Sequence, residues 1–302
     1  MIRLVSLLAL LVVVIACNKK ISTVAEHQLA VDTEYMSYLD SARQERVARL
    51  TGPQGWLSVI GLHWLEEGVN TIGATADNSI IFPRTQTETI GAYQLQGDDI
   101  FFGKVEGVEV NGEHGEYLGG PVVVDYPPTV VNHESLYWYV LQRGERYAIR
   151  LKDTLSENRM NFEGISYFPA DHNYKVKATV RTTTISDSVS ISNVLGIPST
   201  VPIAAQLEFM LQGKHYSLIA LDEGTDEFFV IFGDLTNGDS SYGGGRFIYP
   251  KKADNGEQTT LDFNLAINPP CAFTDFATCP LPPSKNKMDL RIESGELSPL
   301  GH

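Results

Sequence analysis

SLYWYVLQRGERYAIRLKD, residues 135–153, decides the fold. Two runs rich in aromatic and β-branched residues meet at a Gly-containing turn, which is the pattern of a β-hairpin. Alternation places Arg146, Ala148, Arg150 and Lys152 on one face of the second strand and Tyr147, Ile149 and Leu151 on the other. A cationic face on so acidic a chain either holds an anion or meets carboxylates of a neighbouring unit. The third option is a solvated strand face, and charged sheet edges of that kind are common.

Upstream of the hairpin, VNTIG, SIIFP, GAYQL, DIFFG, GVEVNG and PVVVDYP follow one another between Gly, Asn and Pro residues. Turn signals spaced this closely indicate an antiparallel sandwich or barrel. Downstream, VKATVRTTT, SVSISNV, AAQLEFML, KHYSLIALD and EFFVIFGD read as a second antiparallel unit, with hairpin turns at Gln212-Gly213 and Glu223-Gly224. The expected fold is mainly β: a sandwich-like N-terminal unit, then a C-terminal sheet or barrel, with one N-terminal helix. The unit boundaries are placed at 32–153 and 154–302.

The helix is read over 33–50, where Met36, Leu39, Val47 and Leu50 recur at helical spacing before Thr51-Gly52-Pro53 stops it. GWLSVIGLHWL, residues 55–65, is apolar on both parities and fits either a buried strand or a short buried helix. His63 within it reads as a satisfied core histidine rather than a ligand or base.

The chain begins with Arg3, an apolar run over 7–15, and Val14-Ile15-Ala16-Cys17. The run is too short to span a bilayer as a stable helix and reads as a cleaved signal segment, 1–17. Its end resembles a bacterial lipobox, which implies lipidation of Cys17, a polar tether over 18–31, and a place in the cell envelope outside the cytoplasm. The formal net charge is −14. That excess of acid excludes nucleic acid as an expected partner, since phosphate binding needs clustered Lys and Arg. The expected membrane contact is through the lipid alone. With Cys17 acylated, Cys271 and Cys279 form an even pair in a compartment where disulfides persist, and a disulfide, two buried thiols or metal ligation all remain open. A Cys-x7-Cys spacing without His is a poor zinc signature, so no metal site is expected.

Residues 233–283 hold a Gly triplet, two Pro-Pro pairs and both late cysteines. Rigid loops carrying polar groups are where binding and catalysis usually sit. Read as a strand, 261–265 puts Asp262 and Asn264 on one face, where Asp262 can pair with Arg246 in a forked hydrogen bond. Tyr242, Arg246, Asp262, Asn264 and Asn268 are therefore the expected lining of one polar pocket, with Asp234 and Cys271 as further candidates. A buried network that locks the C-terminal loop accounts for the same residues. The glycines do not form a P-loop, because no Lys-Ser/Thr follows them, and no cofactor is expected. Catalytic residues are not assigned: there is no Gly-x-Ser-x-Gly elbow and no His-Glu-x-x-His, although Asp262 with Asp234 or Glu293 could assemble a carboxylate pair in space.

GWLSVIGLHWLEEG, NSIIFP, RYAIRLKD, TNGDSSYGGGRFIYP, LDFNLAINPPCAFTDFATCPLPP and IESGE resemble one bacterial family known only as a domain of unknown function, over residues 40–297. That resemblance implies a shared structure and no particular activity. The opening Gly-Val-Asn-Thr-Ile-Gly and Asn-Ser-Ile-Ile-Phe-Pro also resemble a forkhead-associated β-sandwich. Ala74 stands where that family has its phosphate-reading Arg, so the resemblance implies architecture and not phosphopeptide binding. Three functions follow as expectations: a lipid-anchored envelope protein binding a small polar or anionic ligand around Arg246 and Asp262, a hydrolase acting on an envelope or polymeric substrate, or a structural envelope component.

Overall fold

The computed structural model describes residues 32–299 except 106, 112–119, 125–126, 183–186 and 253–255. The apolar leader, Cys17 and the 18–31 tether lie outside the described residues. Contacts divide the chain into residues 1–46 and 47–302. Helix α1 covers 32–51. Met36, read as part of its apolar stripe, is exposed, while Tyr35 and Leu39 are buried. No helix among the described residues is long and apolar enough to cross a membrane.

In the second unit, the ambiguous 55–65 segment is both things in turn: a 3-10 turn at Trp56–Ser58, then strand β1, Val59–Trp64. The strands that follow are β2 (Gly68–Gly73), β3 (Ile80–Ile81), β4 (Gly91–Gln96), β5 (Asp99–Lys104), β6 (Glu109–Val110), β7 (Gly120–Pro121), β8 (Val130–His133), β9 (Leu136–Arg143) and β10 (Arg146–Asp153). They form two five-stranded sheets, β1-β10-β9-β8-β6 and β3-β2-β4-β5-β7. The 135–153 hairpin is continuous, with Arg146 opposite Arg143 and Asp153 opposite Leu136.

A single apolar core unites the two sheets. Ile72, Tyr93 and Phe102 come from one side, and Trp138, Ile149 and Leu151 from the other. This is the arrangement of a β-sandwich, in which alternate residues of each sheet point inward. Phe82 and Phe102 both meet Trp138 edge to face, at 5.1 and 6.4 Å. His63 lies on this inner face, 5.7 Å from the Phe82 ring. It is not the satisfied core histidine expected, since its buried Nε2 has no hydrogen-bond partner among the described residues. Burial lowers its pKa.

The remaining strands are β11 (Lys175–Thr182), β12 (Ser188–Ser192), β13 (Pro198–Leu211), β14 (Lys214–Asp222), β15 (Phe228–Phe232), β16 (Arg246–Ile248) and β17 (Gln258–Asp262). They build a sheet ordered β16-β15-β14-β13-β11-β17, with β12 paired to β13. Gln212 and Gly213 both adopt positive φ, 50° and 76°, which suits a tight two-residue hairpin between β13 and β14. All five residues of β15 are buried, because apolar clusters lie on both faces of the sheet there.

The segment after β17 packs back onto this sheet. Strands β14 and β15 pair directly only at Leu221–Phe229 and Asp222–Phe228. Further along, the Asn286 amide serves in place of a neighbouring strand. Its Nδ2 donates to the carbonyls of Ile219 and Ile231 at 2.9 and 2.8 Å, and its Oδ1 accepts from the Ile219 N–H at 2.7 Å.

Candidate functional site

Strand β15 delivers Asp234 into the loop over 234–245. Asp234 Oδ1 accepts from the Thr236 N–H at 2.8 Å, the Thr236 hydroxyl at 2.6 Å and the Ile292 N–H at 3.2 Å. This is the local side-chain-to-backbone bonding that makes Asp a turn former. The other oxygen, Oδ2, accepts from Arg246 Nη2 at 2.8 Å. Arg246 begins β16, and its guanidinium also donates to the carbonyls of Ile292 and Ser294. Burial lowers its pKa, while Asp234 and then Glu296 oppose that shift.

The expected partnership of Arg246 with Asp262 is therefore corrected: the carboxylate on Arg246 is Asp234. The reason lies in the backbone. Strand β17 stops at Asp262, whose side chain accepts from the Asn264 N–H at 3.1 Å and caps a 3-10 turn, Phe263–Leu265. The extended alternation assumed for 261–265 does not form.

Asn264 Oδ1 accepts from the Asp171 N–H at 2.9 Å and the Ser294 hydroxyl at 2.7 Å, and its Nδ2 donates to the Asp171 carbonyl at 2.9 Å. Asn268 gives its N–H to Glu296 Oε2 at 2.6 Å and its Nδ2 to the Leu297 carbonyl at 2.7 Å. Arg246, Asn264 and Asn268 thus converge on one stretch, 292–297, which they hold down. Tyr242 does not join them. It packs with Trp56, Phe162 and Phe273 in a separate apolar cluster, where burial and then the charge of Asp275 raise its pKa. Cys271 and Cys279 are joined as a disulfide with Cα atoms 6.0 Å apart, closing the loop beside that cluster.

Open space lies on the other side of the Asp234 turn. A cleft of about 390 Å³ is lined by Asp234, Asn237, Gly244, Gly245, Pro282 and Lys287, among others. Gly245 has φ +85°, and a Cβ there would fall 2.4 Å from Pro282 Cγ. The N–H groups of Gly243 and Gly244 have no acceptor among the described residues. Of the residues expected to line a pocket, only the further candidate Asp234 borders this cleft. Lys287 was missed, because it reaches the 234–245 turn through contacts between segments distant in sequence, among them a parallel bridge between Gly233 and Lys287. Among the described residues, no group of three His, Cys, Asp or Glu gathers in a way that could hold a metal ion.

Fold and site together define a mostly β protein whose C-terminal segment is pinned by a buried polar network beside an open glycine-walled cleft. Residues 160–297 match the family described as Protein of unknown function (DUF1684). The match lies within the 40–297 span read from the motifs and covers its C-terminal part. An uncharacterized protein of Haloarcula marismortui, known from a solution NMR structure, is 35% identical, with 48% of this chain and 81% of that one covered at a TM-score of 0.40. None of the curated proteins matches the chain.

Proposed function

We propose that this is a lipid-anchored protein of the bacterial cell envelope that binds a small polar or anionic ligand in the cleft beside Asp234. The observation that carries the reading is that Lys287 lines the same open cleft as Gly243 and Gly244, whose N–H groups have no acceptor among the described residues. Backbone amides exposed by glycine and a nearby ammonium are a common way to hold an anionic group. The buried Arg246–Asp234 pair is the rigid backing of that wall rather than a ligand contact.

Binding is favoured over hydrolysis by the state of the carboxylate. Both oxygens of Asp234 are already taken by donors of the protein, which leaves it poorly placed to move protons for a substrate. The anchor rests on the Val14-Ile15-Ala16-Cys17 sequence.

A thermal-shift screen of the full chain in detergent against polar and anionic envelope metabolites tests the cleft. A hit is expected to vanish in Lys287→Ala, whose exposed side chain is removable without disturbing the core. A hit that is indifferent to Lys287→Ala would place the ligand elsewhere. Cys17→Ser is expected to move the protein from the detergent phase to the aqueous phase in a cloud-point partition, and retention in detergent would refute the anchor.

A further inference from the structure

The cationic face of the 135–153 hairpin is not the solvated strand face that is commonest in sheets. Arg150 is 4% exposed and Lys152 is 8% exposed. Residues of the disulfide loop lie against this region. Arg143 Nε donates to the Thr278 hydroxyl at 2.7 Å, and the Thr274 hydroxyl reaches the Val59 carbonyl at 3.3 Å. Lys152 Nζ donates to the Gln54 carbonyl at 2.6 Å. Nor does the face meet carboxylates. Arg143, Arg146, Arg150 and Lys152 have no acidic side chain within ion-pair distance among the described residues, in a chain whose net charge is −14.

Arg150 is the centre of this arrangement. Its Nε and Nη2 are buried with no hydrogen-bond partner among the described residues. These two nitrogens form the side-on edge of a guanidinium, the edge that takes two oxygens of a carboxylate or phosphate in parallel hydrogen bonds. The flat face of the group rests 4.8 Å from the Trp56 ring, which fixes its plane. Leaving such donors unmet in the interior is costly, and leaving a buried cation without a countercharge is more so.

The register connects the cluster to the surface residue by residue. Arg150 is flanked by half-buried Tyr139 and Leu62, and the next residues along this face of β10 are Ala148 and exposed Arg146. The Arg146 guanidinium lies over half-buried Trp64 at 4.1 Å. Positive charge therefore runs from the surface at Arg146 to Arg150 and Lys152 inside, the layout that draws an anion inward.

We propose that this face is a second binding site, for a compact dianionic oxyanion of the phosphate class held by the Nε and Nη2 edge of Arg150, with Lys152 and Arg143 supplying further positive charge. A dianion matches several uncompensated cations better than a single carboxylate would. The site is distinct from the cleft at Lys287 and shares no residue with it.

The test uses the full chain in detergent, melted and titrated with potassium phosphate, with glycerol phosphate, and with potassium chloride at matched ionic strength. Tryptophan emission is a second readout, because Trp56 and Trp64 both lie against arginines of the site. The expected result is a saturable rise in Tm and a change in emission with phosphate but not chloride, both lost in Arg150→Met and both kept in Lys287→Ala. A response to glycerol phosphate as well identifies a phosphate ester as the ligand, and a response to inorganic phosphate alone identifies the free ion. No difference between phosphate and chloride in the wild type overturns the proposal, as does an unchanged response in Arg150→Met. Should Arg150→Met not fold, Arg150→Lys decides, since it keeps the charge and loses the forked edge. A phosphate midpoint about tenfold weaker supports the site, and an unchanged midpoint refutes it.

Discussion

Arg246 and Asp234 meet at 2.8 Å with both side chains fully shielded from solvent, and the same guanidinium holds the carbonyls of Ile292 and Ser294. A pair like this is worth little against an apolar replacement and much against the loss of one member, because the survivor is left charged in the interior. Asp234→Ala is therefore expected to cost about 3–5 kcal/mol in urea unfolding. The double variant Asp234→Ala, Arg246→Met is expected to lose clearly less than the two single losses added together. Strict additivity in this cycle would mean that the two residues do not act as a unit.

Glycine is required at one position of the 243–245 triplet and optional at another. At Gly245 the φ of +85° is one that side chains rarely adopt, and a Cβ would fall 2.4 Å from Pro282 Cγ and 2.7 Å from the Phe232 carbonyl oxygen. At Gly243 the nearest atom to a Cβ is 3.7 Å away. Gly245→Ala is expected to destabilise by about 2 kcal/mol or more, and Gly243→Ala by well under about 1 kcal/mol. Equal effects of the two would show that the turn adapts, and thermal melts of both variants settle it.

Lys152 sets a pH dependence of known sign. Burial, and then the charge of Arg150 on the same strand, pull its pKa down to about 8. The rings of Tyr137 and Tyr139 on β9 lie 5.5 and 5.7 Å from Nζ, and the Gln54 carbonyl accepts from it. Below about pH 8 the ammonium is charged in both folded and unfolded states, so its burial penalty is fully present. From about pH 8 to about pH 10.4 the folded state has released the proton that the unfolded chain still binds, and stability rises with pH. In chloride buffer, Lys152→Met is expected to exceed the wild type by up to about 3 kcal/mol at pH 7, with the gap closing towards pH 10. A gap that widens over that range would reverse the sign of this account.

Local patterns made much of the architecture legible. The parity of 146–152 put Ile149 and Leu151 in the sandwich core, and Gln212-Gly213 marked its hairpin. What escaped was set by contacts between distant segments. Nothing near Arg150 in sequence announces the disulfide loop, more than a hundred residues later, that approaches its face. Asp262 was misread for a different reason. A strand pattern was assumed to continue through a residue whose side chain bonds the backbone two positions on, and that bond ends the strand. Arg246 was expected to pair with Asp262 in a pocket, and its actual partner, Asp234, depended on where the 234–245 turn folds back.

Asn286 makes the last prediction, since it substitutes for a strand. Its amide provides two donors and one acceptor to main-chain groups of Ile219 and Ile231, and the residue itself is 1% exposed. Removing the amide leaves one N–H and two carbonyls of β14 and β15 without these partners inside the protein. Unmet buried groups cost about 1–3 kcal/mol each where water cannot reach them. Asn286→Ala is therefore expected to lose about 3 kcal/mol or more, and Asn286→Asp to lose nearly as much, because a carboxylate cannot donate to either carbonyl. Hydrogen exchange at the Ile219 amide reads the same bond directly. Protection there that survives Asn286→Ala would mean that the strands close the gap themselves, and the amide would then be a filler rather than a link.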